Sequence, residues 1–501
     1  MNALVTAPLL LPLFGAGLSL AAWRLPRLQA AVGIAAAVLL VPAALLLAGQ
    51  VQARGPLAVQ IGGWPAPVGI TLVADPLAAL MVLLTAVIAA LVAIYGAAET
   101  PRTGARRAFF PLLHVLLLGV GGAFLTGDLF NLYVWFEVLL VASFGLLVIG
   151  GRRENLEGAV KALVLNLFGS MLFLLAAGAV YGLAGTLNMA DLHGRLAEVY
   201  AVRPHAVTAV ALLLAVAFAL KAALVPLAFW LPASYHVPSA GTCALFAALL
   251  TKVGIYALVR VFTLPLAAVP AVMPVVLVAA AVTMLSGVLG AVAQMEMKRI
   301  LAWHSISQVG YIAAGVGLLS APDAQVRLAG LVAATFFIVH HGLVKPALFL
   351  VAGLVRRELG TTELKPAGGL YAARPLLAVL FLLAALSLAG LPPLSGFWAK
   401  LAVIRASALS GQWWVLGAAL TAGLLTLLSM LKIWLEVFWK PAPSGAAAGE
   451  TAGASAMNAA TIVLVLLVTL LGLVPGPLLA AARTAAESLL QPDVYIRAVG
   501  L

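Results

Sequence analysis

The chain has 501 residues, of which 64% are hydrophobic and only 9% charged. That balance excludes a soluble globular domain, and apolar runs of about 18 or more residues recur from end to end, so the chain reads as an all-α polytopic membrane protein. The net charge of +12 sits in short loops between apolar runs, where it sets topology and does not point to nucleic acid; a single cysteine, Cys243, excludes an internal disulfide and a multi-cysteine metal or iron–sulfur site.

The apolar runs predict about fourteen transmembrane helices: 3–22, 29–50, 75–96, 108–126, 129–149, 159–183, 205–231, 240–262, 271–293, 300–320, 328–353, 375–400, 413–438 and 458–481. The first run, Leu4–Trp23, has no cationic stretch before it and no small-residue cleavage site, so it is expected to be a retained span. Gln52–Val73, with Gly62, Gly63, Trp64, Pro65 and Pro67, is too polar and broken for a helix and predicts a surface β-hairpin. Pro441–Ala456 is rich in Ala, Gly, Ser and Pro and reads as a flexible loop. No Walker loop or dinucleotide fingerprint occurs, so no cofactor is expected. Lys and Arg concentrate in the odd-to-even loops, among them Arg102, Arg106, Arg107, Arg152, Arg153, Lys298 and Arg299, which predicts both termini outside.

Two spans are interrupted. The seventh carries Pro226 and Pro232 after Lys221; the twelfth carries Pro392 and Pro393 before Lys400. They lie five spans apart, and an odd offset inverts topology, so spans 4–8 and 9–13 read as inverted repeats, each with a broken helix. The chain then divides into 1–107 (helices 1–3 with a hairpin near 52–73), 108–262 (first repeat), 271–438 (second repeat) and 458–501 (C-terminal helix and tail).

The intramembrane charges are the functional candidates. A lysine ammonium at the bilayer centre costs at least ~2.5–3.5 kcal/mol, so it persists where it is paired, hydrated or used. Glu137, mid-span, is either a protonated structural carboxyl or a partner that tunes the proton affinity of Lys221. Lys252 is either a relay or a snorkelling side chain, and Arg260 two turns on is the better placed of the two for the surface. His341 and Lys345, at i and i+4, share a helix face and suit a proton relay, whereas His340 points about 100° away and reads as a helix–helix bond. Adjacent histidines diverge on a helix, so no metal site is expected. Lys400 either ends the path or faces the outer interface. Asp75 and Asp128 sit where N-caps are needed. Lys432 and Glu436, at i and i+4, read as either a structural ion pair at the inner surface or a functional one, while His236 and His304 sit near loops, where His304 suits capping or local bonding.

Several motifs recur together: WFEVLL with Glu137, Lys221 before LVPLAFWLP, SYHVPSA, LLTKVGIYALVR with Lys252, KRILAWHSISQVGY, the HxxxKPALFLVAG run with Lys345, and LAGLPPLSGFWAK ending at Lys400. In these the chain resembles, over nearly its whole length, the antiporter-like subunits shared by respiratory complex I, membrane-bound hydrogenases and multisubunit Mrp-type Na+/H+ antiporters. Within that family it is most similar to the D-type subunits of the Mrp branch, although Lys432 stands where an arginine is expected. The resemblance implies a proton-translocating subunit of a monovalent cation (Na+)/H+ antiporter in a prokaryotic cell membrane, working beside a large A-type subunit, a small C-type subunit and others. It gives Glu137 and Lys221 as an ion pair, Lys252, His341 and Lys345 as a central hydrophilic axis, and Lys400 as its terminal lysine. The alternative is a proton-pumping subunit of a redox complex of the complex I or hydrogenase kind.

Overall fold

The computed structural model describes residues 3–99, 104–442 and 454–501. Helices α1 (Ala3–Ala21) and α2 (Pro26–Arg54) lead into an antiparallel hairpin, β1 (Leu57–Gln60) and β2 (Thr71–Ala74), with Leu57 opposite Ala74 and Gln60 opposite Thr71. The hairpin overlaps the predicted segment and ends one residue beyond it, and α2 continues through Arg54. There follow α3 (Pro76–Glu99), α4 (Gly104–Leu125), α5 (Leu129–Val148), α6 (Arg153–Ala184), α7 (Met189–Val202), α8 (Pro204–Ala222), α9 (Trp230–Ser234) and α10 (Ala240–Thr263). The second half holds α11 (Met273–Val292), α12 (Met297–Gly317), α13 (Ala324–Leu359), α14 (Leu370–Ala373), α15 (Pro375–Ala389), α16 (Ser395–Leu409) and α17 (Trp413–Ile433). The chain finishes with α18 (Ala454–Leu473), α19 (Gly476–Leu489) and α20 (Pro492–Val499).

Local chemistry sets the boundaries. Asp128 caps α5 by accepting from the Asn131 N–H at 2.7 Å; Asn188, Ser239, Glu296 and Asp323 cap α7, α10, α12 and α13 in the same way. Proline opens α2, α8, α15 and α20, where its missing N–H costs nothing.

Among the described residues, 12 helices are long and apolar enough to cross a bilayer. The other two expected spans are present in different form. Helix α12 has the length, but Lys298, Arg299, His304 and Gln308 make it too polar, and it is sheltered inside the protein. The twelfth span is divided into α15 and α16. Two spans end eight or more residues early: the seventh stops at Ala222 instead of 231, and the last stops at Leu473 instead of 481, just ahead of Pro475. Residues 443–453 of the expected Pro441–Ala456 loop lie outside the described residues, and helix resumes at Ala454.

Every residue of α10 is buried, and so is α13 from Ala333 to Val355 without interruption. These two helices pack on each other at the centre, while α1, α2, α6, α17 and α18 leave most of their apolar surface outward. The two breaks use one device. Helix α8 ends at Ala223 in the left-handed region (φ 63°), followed by a cis Val225–Pro226 bond; α15 ends at Gly390 (φ 93°), followed by a cis Pro392–Pro393 bond. At the far end, Gln60 Nε2 of β1 donates to the Val499 carbonyl of α20 at 3.0 Å, tying the tail to the hairpin.

Candidate functional site

Four lysines expected in the membrane are all buried: Lys252 and Lys345 are 0% exposed, Lys221 5% and Lys400 6%. Lys252 is thus enclosed at every atom of its side chain, against the snorkelling alternative, while Lys400 keeps a small exposed fraction.

Lys221 sits one residue before the last of α8. Its Nζ donates to the Asn166 carbonyl at 3.0 Å and to Ser170 Oγ at 2.8 Å, both on α6, and lies 5.7 Å from the centre of the Phe136 ring. Glu137, the next residue of α5, is half-buried. It makes no salt bridge with Lys221 within 4.0 Å, and its Oε1 has no hydrogen-bond partner. The two charges are near enough to interact, but the expected ion pair is open. A cavity of about 20 Å³ adjoins the lysine, lined by Ser143, Asn166, Trp230 and Ser234; that is the space of roughly one water.

Lys252, on α10, donates to the Ala247 carbonyl of its own helix, and Lys345, on α13, to the Leu301 carbonyl of α12. The two are electrostatic neighbours, and both act on His341. Lys400, on α16, donates to the Ala389 carbonyl at 2.6 Å, so it caps the first half of its own broken span, and it lies 5.4 Å from the Tyr311 ring centre. It also lines a cleft of about 340 Å³ with Gly390, Ile404 and Gly423.

His340 does more than the expected helix–helix bond. Its Nδ1 meets Ser395 Oγ at 2.9 Å, and Ser395 meets Ser387 at 3.0 Å, so α13 is joined to both halves of the broken twelfth span beside Lys400. His304 is not a loop residue: it is 0% exposed and its Nε2 lies 2.5 Å from Ser429 Oγ on α17, within the field of Lys345 and Lys400. The structure adds Asn166, Ser170, Gln308, Ser387 and Ser395 to the site. Their signal in the sequence was a polar side chain inside an otherwise apolar run, such as Asn166 in ALVLNLFGS.

Three further expectations are corrected. Arg260 is no surface anchor: it is 3% exposed, and its Nη2 donates to Asp75 Oδ2 at 2.7 Å and to the Tyr256 hydroxyl at 3.2 Å. Its guanidinium lies 5.4 Å from the Tyr256 ring centre and 5.0 Å from that of Tyr495, on α20. Asp75 keeps its expected capping bond as well, accepting from the Ala78 N–H at 2.9 Å. Burial raises the pKa of the Tyr495 hydroxyl, against the pull of Arg260, so the ring meets the cation as a neutral phenol. Glu436 pairs with Lys440 at 3.2 Å, while Lys432 donates to the Val292 and Gln294 carbonyls at the end of α11, where the last carbonyls of a helix have no intrahelical partner. Lys298 is no loop charge but a buried side chain bonded to the Pro238 carbonyl at 2.7 Å.

Residues 126–426 match the family described as NADH:quinone oxidoreductase/Mrp antiporter, transmembrane. The D-type Na+/H+ antiporter subunit of Alkalihalophilus pseudofirmus is 40% identical over 501 residues, covering 100% of this chain and 99% of the relative. A chain in the structure of the Mrp complex from Dietzia sp. DQ12-45-1b superposes with a TM-score of 0.91 at 33% identity, covering 100% of both chains. A chain of the archaeal membrane-bound sulfane sulfur reductase superposes with a TM-score of 0.90 at 27% identity, covering 99% of each. With its motif-bearing lysines buried inside a fold that matches over its full length, the chain belongs to the NADH:quinone oxidoreductase/Mrp antiporter membrane family, on the Mrp D-type branch.

Proposed function

We propose that this subunit carries protons through a multisubunit Na+/H+ antiporter, with Glu137, Lys221, Lys252, His341, Lys345 and Lys400 as the path. The observation that carries the reading is the coincidence of two features. Four lysines are enclosed in the protein interior, and among the described residues most of the buried side-chain polar atoms without protein partners belong to Glu137 (Oε1), Thr251 (Oγ1), His304 (Nδ1), Gln308 (both amide atoms), His340 (Nε2) and His341 (both ring nitrogens). Buried polar groups are satisfied by ordered water when protein does not satisfy them. A scaffold has no use for so many buried charged and polar side chains, since leucines would be more stable there.

The lysines are donors to carbonyls in this state, so each holds a proton beside a neutral acceptor and passes it through water when a neighbouring charge moves. His340 and His304 extend the path, linking Lys345 to Lys400 through Ser395 and Ser429. The exchanged cation is Na+, and the large A-type and small C-type subunits complete the complex. The membrane is the prokaryotic cell membrane, with both termini outside.

The test is Na+-driven dissipation of a pH gradient in everted vesicles carrying the whole complex. Lys221→Ala, Glu137→Ala and Lys400→Ala are expected to abolish exchange while leaving the complex assembled; normal exchange by the assembled Lys221→Ala complex overturns the path. The likeness to the sulfane sulfur reductase keeps a redox-driven reading in view. Iron–sulfur subunits co-purifying with this chain would establish that reading in place of antiport.

A further inference from the structure

The Lys221 ammonium has two possible homes, and the structure records the less obvious one. A carboxylate, Glu137, stands on α5 within electrostatic reach, yet Lys221 bonds to α6 instead, to the Ser170 hydroxyl at 2.8 Å and the Asn166 carbonyl at 3.0 Å. Phe136 supplies a ring face beneath the ammonium at 5.7 Å. Ser170 is itself buried, and its Oγ accepts from the lysine. Glu137 Oε1 is left without a partner, as expected of a carboxylate whose cation has been drawn elsewhere.

We propose that Ser170, with the Asn166 carbonyl, forms a second seat for the Lys221 ammonium, and that α6 competes with Glu137 for it. The inference rests on the transport reading above and names Ser170 as a positioning residue within it. Beside a carboxylate a lysine holds its proton tightly; beside a hydroxyl and a carbonyl it gains hydrogen bonds without an opposing charge, and release is easier. The seat on α6 is therefore the position from which Lys221 passes its proton on, and the position beside Glu137 is the one in which it loads. The small cavity at Asn166, Ser143 and Ser234 gives the moving ammonium a water-sized space between the two.

The titratable groups beside Lys221 are Glu137 from α5 and Tyr235 from the segment after α9; the α6 and α10 residues lining the cavity carry no charge. Only Glu137 is opposite in sign and close, so the effect of Ser170 must run through it.

The experiment measures exchange against pH in everted vesicles holding the complete complex, with NaCl as the probe. Ser170→Ala is expected to slow exchange several-fold and to move the alkaline limb of the profile upward by ~0.5 pH unit or more, because the lysine now rests beside the carboxylate. Ser170→Thr, which keeps the hydroxyl, is expected to restore the profile. In the Glu137→Asp background, where the carboxylate is one methylene shorter, the Ser170→Ala shift should shrink, since the competitor reaches less far. A Ser170→Ala profile superimposable on wild type, in vesicles where Lys221→Ala abolishes exchange, overturns the seat and leaves the transport reading standing. If Lys221→Ala exchanges normally, the transport reading itself fails. If Ser170→Ala does not assemble, Ser170→Thr and Ser170→Cys decide: a wild-type profile for Cys, whose weak acceptor cannot replace the hydroxyl, overturns the proposal, and a Cys profile shifted like that expected for Ala supports it.

Discussion

Arg260 shows how one buried charge is kept. Its guanidinium is 3% exposed, so everything it needs must come from protein: Asp75 in a 2.7 Å ion pair, the Tyr256 hydroxyl, and two aromatic faces. Breaking such a pair from one side leaves an uncompensated charge and costs about 3–5 kcal/mol, whereas neutralising both sides costs far less. Arg260→Ala and Asp75→Ala are therefore each expected to lower the amount of complex in the membrane sharply. Asp75→Asn combined with Arg260→Gln should recover much of it, as read by immunoblot and by thermal unfolding in detergent. Equal loss in the double variant would mean that the pair is not what stabilises this corner. The sequence placed Asp75 well, because a cap is a local matter of an acid before a helix. It misjudged Arg260, because the partner is 185 residues away and nothing local announces it.

At the level of helices, the two breaks were legible from proline and lysine positions, and the fine geometry was not. Glycine decides that geometry in two places. Gly254 lets α10 approach the end of α8 so closely that a Cβ there would stand 2.5 Å from the Ala222 nitrogen and 2.8 Å from the Lys221 carbonyl carbon. Backbone cannot yield, so Gly254→Val is expected to prevent assembly. Gly390 has φ 93°, and a Cβ there would come within 2.7 Å of Lys400 Cδ, a flexible side chain. Gly390→Ala is expected to leave a folded complex weakened by ~1–2 kcal/mol, with Lys400 pushed off the Ala389 carbonyl and exchange largely lost. Comparing membrane yield with exchange rate separates the two outcomes; full exchange by Gly390→Ala would show that Lys400 does not need that contact. The end of the seventh span was misread for the same reason: Ala223 turns left-handed without a glycine to mark it, so the apolar run continues where the helix does not.

For the molecule as a whole, the apolar runs and the family motifs made the order and type of the long helices readable, since burial in a bilayer leaves a strong one-dimensional record, whereas the short, more polar α7, α19 and α20 left none. What they could not convey was lateral arrangement, which is why His304 was assigned to capping or local bonding although it bonds a helix far along the chain. Orientation can be tested directly. Cys243 is 0% exposed, so the native chain offers a silent background for thiol labelling, and Val68, in the hairpin loop, is 82% exposed. A Val68→Cys variant is expected to react with a membrane-impermeant maleimide in right-side-out vesicles and to be protected in everted ones; the reverse pattern would invert the topology. The same face carries the tail, and there the stack over Arg260 is finished only by Tyr495. During synthesis that guanidinium must wait some 230 residues for its second ring, so a ribosome that stops early releases a chain with its polar corner uncapped, a defect that membrane quality control can recognise.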